Sequence, residues 1–237
     1  MIKQKLPHEV KSEETKQKIL TATEKMLSQY DFKYLTVRNL CEEAGVAYGS
    51  FYHHFTSKEN LLFIYTGNLY QVARRENPLP DWVNPTDYIE CILWHTIVYG
   101  QFCEMLGKDL TKYLYQNCPQ DLFAETYAQE IIPIINDAKQ RGMLDPGRER
   151  PYNRPPEVLL AKDVEIVEKG TVVWWSCYSK EDSEPLHETL EHLSFNMLYS
   201  YCSEQYRATD HLHMLLTERE QFPGSITIRP ISAAQES

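Results

Sequence analysis

The sequence predicts an all-α protein, and three observations carry that reading. Apolar residues recur at helical spacing through most of the 237 residues. Between those runs stand residues that start or stop helices: Thr36, Gly45, Thr56, Asn84-Pro85 and the stretch "DPGRERPYNRPP". Beyond "ITIRPI" near the C-terminus, little in the chain suggests a strand.

Taken in order, residues 13–30 place Ile19, Thr23, Met26, Leu27 and Tyr30 at i, i+4, i+7, i+8 and i+11, one face of a first helix. Thr36 can cap a second, short helix whose apolar side is Val37, Leu40, Cys41 and Ala44. Gly45 follows where a left-handed C-terminal residue is wanted. A third helix is expected from about Ala47 to His54, and Thr56-x-x-Glu59 matches a capping box opening a longer helix to about Arg75. "ENPLPDWVNP" breaks the pattern, and Asn84-Pro85 reads as an N-cap with proline at the first helical position of a helix reaching Gly107. A helical pattern over about 120–141 contains Pro133, which predicts a kink or break. Two long helices should occupy roughly 157–178 and 184–206, and a shorter one 210–221, before a tail without helical period.

The chain is long enough for one large domain or two unequal ones. No apolar stretch approaches the ~20 residues of a membrane span, and the start lacks the apolar run of a secretory signal. A cytoplasmic protein with no membrane partner is the expectation. The six cysteines are scattered, never fall as C-x-x-C, and read as reduced, buried small hydrophobes. Net charge is −10, unevenly spread: residues 1–75 hold 11 Lys and Arg against 8 Asp and Glu, and the rest 13 against 26. A mildly basic head on an acidic body would meet a polyanion head first.

The densest passage is "TVRNLCEEAGVAYGSFYHHFTSKENL", residues 36–61. Two short helices joined through "AGV" form a helix-turn-helix, whose second member lies in the major groove of DNA. In "AYGSFYHHF" the small leading residues let the helix start approach base edges. Tyr52, His53, His54 and Lys58 can reach phosphate oxygens, while Phe51 and Phe55 hold the helix on its own core.

These residues resemble the TetR/AcrR family of transcriptional regulators. The family pattern is carried by Thr36, Leu40, Ala44-Gly45-Val46, Gly49-Ser50-Phe51-Tyr52, His54-Phe55, Lys58 and Leu61, and the likeness covers residues 14 to about 65. Further on, "AKQRGML" and "EIVEKGTVVWWSCYSKED" are more loosely similar to the ends of family ligand-domain helices. The resemblance implies an N-terminal three-helix DNA-binding domain plus a larger helical ligand-binding and dimerisation domain. It implies that Thr36, Tyr52, His54 and Lys58 anchor phosphates. Arg38, Tyr48 and Ser50 would be nearest the base edges, with Ala47 and Gly49 allowing close approach. Position 48 often carries a basic or amide side chain in such proteins. A tyrosine there can donate one hydrogen bond and touch a thymine methyl, but cannot make the bidentate guanine contact of arginine.

Dimers generally read such operators, so the last two long helices are candidates for the contact. The first carries Leu159, Ile166, Gly170, Val173 and Cys177 on one side and Leu160, Val164, Val167, Thr171 and Trp174 on the next, more than one core face needs. The second offers Leu186, Leu190, Leu193, Met197 and Tyr201. From these, Ile166, Gly170, Val173, Trp174, Leu190, Leu193 and Met197 are the expected seam. Cys91, His95, Tyr99 and Cys103 stand at i, i+4, i+8 and i+12, and His95, Tyr99 and Cys103, with Trp94 and Phe102 nearby, are candidates to line an effector cavity. Plain core packing with a satisfied histidine is the alternative.

"HETLEH", 187–192, misses a zinc-protease motif because Glu191 stands where the second histidine should be. His211 and His213, two apart, diverge on a helix. No metal, cofactor or catalytic residue is expected. The domains expected are 1–60 for DNA binding, with a connecting helix to about 75, then 61–222 for regulation and dimerisation and 223–237 as tail. The function expected is a homodimeric repressor that leaves its double-stranded DNA operator on binding a small-molecule effector. A regulator controlled by a protein partner, and an interaction protein without DNA affinity, are the alternatives.

Overall fold

A computed structural model describes residues 7–118, 130–145, 155–180 and 184–217. The first part of the helix expected over 120–141, most of the 145–156 loop, the end of the helix expected over 210–221 and the tail lie outside these. The chain divides into two compact units: Met1–Leu69 with Tyr113–Gln120, and Tyr70–Lys112 with Asp121–Ser237. The described residues are all-α, and their one isolated β-bridge joins Leu144 and Cys202. No helix among them is long and apolar enough to cross a membrane.

The first unit opens with α1 (Pro7–Gln29), which begins earlier than its apolar stripe suggests. Ile19, Thr23 and Met26 are buried, but Tyr30 lies beyond the helix end and is exposed. A 3-10 turn at Phe32–Tyr34 leads to α2 (Val37–Ala44) and α3 (Tyr48–Tyr52). Thr36 caps α2 by accepting from the Asn39 amide at 3.2 Å. Gly45 ends it at φ 64°, and Val46 N–H returns to Cys41 O at 3.0 Å. A residue with a Cβ would strain this left-handed turn, which sets the angle between the two short helices.

The start of α4 (Lys58–Glu76) corrects the expected capping box. Ser57 Oγ, not Thr56, accepts from the Asn60 amide at 3.1 Å, and Asn60 Oδ1 reaches back to Thr56 N–H at 3.2 Å. Glu59 is otherwise engaged, accepting from Tyr113 OH at 2.5 Å. Tyr113 belongs to α6 (Lys108–Asn117) and packs on Phe32 with ring centroids 5.0 Å apart.

In the second unit α5 (Tyr88–Leu106) is buried on every side from Tyr88 to Cys103, as a central helix must be. Its cap differs from expectation. Asp87 accepts from Ile89 and Glu90 N–H at 2.9 and 3.1 Å, while Asn84 Oδ1 is taken by Thr86 N–H at 3.0 Å. Asn84 and Pro85 therefore build the turn before the helix, which ends at Leu106 with Gly107 beyond it at φ 79°.

Among the described residues, the second unit continues with α7 (Ile132–Gln140), α8 (Pro156–Tyr178), α9 (Leu186–Tyr199) and, past the four-residue α10 (Glu204–Arg207), α11 (Asp210–Thr217). Pro133 sits in the first turn of α7, where its missing N–H costs nothing. The helix expected over 184–206 is broken. Residues 201–203 straighten against 143–145, with Asp145 N–H to Tyr201 O at 2.9 Å and Ser203 N–H to Met143 O at 2.8 Å. Ser203 then caps α10 through the Tyr206 amide at 3.1 Å. Ile92, Leu93, Ile135, Leu160, Val164, Phe195 and Leu198 make the core. Where α5 meets α9, an added Cβ on Gly100 would lie 2.7 Å from His187 Cα, so only glycine permits this approach.

Candidate nucleic-acid interface

A five-residue helix has no stability of its own, so α3 must be held by what it buries. Phe51 and Phe55 do this: both are at most 1% exposed, with ring centroids 5.5 Å apart. Their inward direction turns the rest of the segment out. Ala47, Tyr48, Gly49, Tyr52 and His53 are exposed, and Ser50 and His54 half-buried. Nothing lies within 4 Å of where a Gly49 Cβ would stand. Two of the outward groups meet: Tyr48 OH and Tyr52 OH are 3.1 Å apart, and their rings pack edge-on at 5.4 Å. The Tyr48 hydrogen bond is the main cause holding the Tyr52 phenol above its ordinary pKa.

The other candidates lie at the ends of neighbouring helices. Thr36 is exposed, and its oxygen accepts from Asn39 N–H, which leaves the hydroxyl proton to donate elsewhere. Arg38 reaches into solvent beside Glu42, Nε to Oε1 3.0 Å, a surface pair worth little against a phosphate. Lys58 is half-buried, its Nζ 5.1 Å above the Tyr113 ring. Tyr113 was not legible from the motif, because it reaches the lysine from a remote segment of the chain. Tyr48 and Tyr52 therefore form one outward patch, whereas Lys58 stands on a platform that α6 supplies.

Residues 19–63 match the family described as "Bacterial regulatory proteins, tetR family". The match runs from α1 into α4, and the likeness to that family is a likeness of this segment. Solved structures agree in fold. The chain superposes on a TetR-family transcriptional regulator from Rhodococcus sp. with TM-score 0.51 at 20% identity, covering 81% of this chain and 100% of that one. The Thermus thermophilus FadR, a TetR-family transcriptional repressor in complex with lauroyl-CoA, gives 0.52 at 16%, covering 77% and 93%. The fatty acid degradation regulator FadR from Bacillus halodurans gives 0.51 at 14%, covering 83% and 97%. No curated protein matches the chain.

In the second unit, the residues expected to line an effector cavity are all buried. Trp94, Tyr99, Phe102 and Cys103 are at most 6% exposed. Trp94 Nε1 reaches Asn77 O at 3.4 Å, and Tyr70 packs on both Tyr99 and Phe102. His95 belongs to an ion network instead: its Nε2 is 2.7 Å from Arg74 Nη2 and 2.5 Å from Glu130 Oε2. Burial first, and then the Arg74 charge, holds the imidazole pKa down against the pull of Glu130. Burial acts to raise the Glu130 carboxyl, but the bonds and charges of His95 and Arg74 outweigh it and hold it at about 2. Arg74 is the residue that sequence reasoning missed. Its side chain is 10% exposed, and Nε and Nη1 are buried without a hydrogen-bond partner.

On α8 the expected stripes resolve differently. Leu160, Val164 and Thr171 face the core, but Trp174 leaves that face, and Trp175 takes the buried place beside it. Ile166, Gly170, Val173 and Trp174 are exposed together at i, i+4, i+7 and i+8, with Leu193 exposed and Met197 half-buried on α9. Leu190 is corrected: at 0% exposure it fills the core of its own unit and cannot reach another chain. His187 of "HETLEH" is accounted for by Glu104, Nδ1 to Oε2 2.9 Å.

Proposed function

We propose that the chain is a homodimeric, ligand-responsive repressor that reads operator DNA with the α3 face. One observation carries this reading: Phe51 and Phe55 point in, so that Tyr48, Gly49, Tyr52 and His53 point out together. In this reading Tyr48, Ser50 and Arg38 meet base edges, with Ala47 and Gly49 leaving room. Thr36, Tyr52, His53, His54 and Lys58 fix the phosphates. The apolar stripe Ile166, Gly170, Val173 and Trp174, with Leu193 and Met197, is the seam that sets two heads about 34 Å apart or a multiple of it. The domain division proposed is a DNA-binding head through residue 60, a helical regulatory and dimerisation region over 61–222, and a tail.

Release by an effector is the finer part of the proposal. Among the described residues of the second unit, Arg74 has two buried donors without an acceptor, and they suit a carboxylate or another anionic oxygen. The Thermus FadR, alike in fold, holds lauroyl-CoA, which supports a small molecule as the kind of effector. Such a ligand acts by preferring one arrangement of the dimer, and full reversal of occupancy requires a differential affinity of ~10⁴.

Mobility shift on the DNA flanking the gene is the direct test. A discrete complex that survives competitor DNA, at two protomers per site, is expected. Trp174→Glu should yield a folded monomer in sedimentation, with operator affinity lost. Binding to all DNA alike, or an unaltered dimer in Trp174→Glu, overturns the reading.

A further inference from the structure

We propose that Asp87, Glu90 and His211 form a divalent-cation site that fastens the start of α5 to the start of α11. One ligand atom from each lies within 4.8 Å of the others. His211 Nε2 is 2.6 Å from Glu90 Oε1 and 3.2 Å from Asp87 Oδ2. Two carboxylates at 2% and 3% exposure, one helical turn apart, repel each other in a poorly solvated place, and a positive charge between them relieves that repulsion.

The oxygens not facing the histidine are already committed. Asp87 Oδ1 caps α5 through Ile89 and Glu90 N–H. Glu90 Oε2 accepts from Asn84 N–H at 2.6 Å. Tyr206 OH donates to Asp87 Oδ2, which retains a second lone pair. These bonds fix both carboxylates with Glu90 Oε1 and Asp87 Oδ2 turned to His211, the outer-sphere support that metal ligands require. A second observation concerns the histidine. Its Nε2 is buried and has no aligned hydrogen bond, despite standing so near both oxygens.

The dimensions and donor set narrow the ion. Bonds of about 2.1 Å to a tetrahedral centre place ligand atoms ~3.4 Å apart, so the 3.2 Å separation from Asp87 needs to open by ~0.2 Å and the 2.6 Å separation from Glu90 by ~0.8 Å, a side-chain adjustment that the partly exposed His211 can make. One imidazole and two carboxylates suit zinc or a neighbouring first-row divalent ion, with water filling the open positions. His211 is 31% exposed, which supplies the way in.

The test uses the full chain stripped by a chelator and then titrated with Zn²⁺ by calorimetry and melting. One ion per protomer and a higher Tm are expected. Glu90→Gln and His211→Gln should each lower affinity by more than about tenfold. Glu90→Gln without metal should melt no lower than wild type, since it removes one of two repelling charges. If that variant does not fold, His211→Gln, at a partly exposed position, carries the test alone. Co²⁺ should bind without a thiolate charge-transfer band. No uptake by the stripped chain, unchanged affinity in His211→Gln, or a thiolate band from cysteine ligation each overturns the site.

Discussion

The hydroxyls of Tyr48 and Tyr52, one turn apart on α3, are each other's hydrogen-bond partners at 3.1 Å. DNA contact by either residue exchanges that bond for another, so the net gain per hydroxyl is modest, about 0.5–1.5 kcal/mol. Tyr52→Phe should weaken binding by that amount on every sequence. Tyr48→Ala should reorder preference among operator variants. Anisotropy titrations over a panel of substituted operators distinguish the two, and equal losses across the panel for both variants contradict the division of roles.

Lys58 presents its charge above the Tyr113 ring, 5.1 Å from the centroid. If that ammonium faces a phosphate, Lys58→Ala lowers affinity about equally on all sequences and reduces the salt slope by about 1. The variant also loses a cation–π contact of about 0.5–1 kcal/mol, visible in melting without DNA. An unchanged salt slope removes Lys58 from the interface.

Gly100 and Gly67 both lie inside helices, yet they should respond oppositely to alanine. Alanine favours a helix by roughly 0.5–1 kcal/mol. At Gly67 nothing stands within 4 Å of the new Cβ, so Gly67→Ala should melt at the same temperature or higher. At Gly100 the Cβ meets the His187 backbone at 2.7 Å, and overpacking of about 1–3 kcal/mol outweighs the gain. A Gly100→Ala melting temperature equal to wild type means that α5 and α9 separate at little cost.

The Arg74–His95–Glu130 network makes stability fall in acid. Because the folded state holds His95 below its ordinary pKa, the unfolded chain binds that proton more readily, and stability declines as pH drops through about 6.5. Glu130, at about 2 in the fold, adds the same sign from about 4.5 downward. His95→Gln, which removes the titrating nitrogen but keeps a side chain able to hydrogen-bond Arg74 or Glu130, should flatten the upper part of that decline and leave the lower. Denaturant titrations between pH 7 and 5 measure it, and greater stability at the acid end shows a charged imidazole in the fold.

The helix-turn-helix was legible because its signals are local: a threonine cap, a left-handed glycine, and two phenylalanines four apart. What stayed hidden depends on partners remote in sequence. Asn84, Thr86 and Asp87 are all capable caps, and the choice is settled by how Asn84 is used, its side chain by Thr86 and its backbone N–H by Glu90. Nothing near residue 200 announces the break between α9 and α10, since residues 143–145 cause it. Trp174 and Trp175 are indistinguishable by type, and only the packing of α8 decides which is hidden. Arg74 acquires its importance from His95 and Glu130 together, groups that no spacing rule connects.

The division of labour along α3 has an evolutionary corollary. The two side chains that secure this short segment to its support are not the ones that face outward. Substitutions at positions 48, 49, 52 and 53 tax the fold little, so under the proposed reading descendants of one ancestral gene are free to drift toward new target sites while keeping the same scaffold.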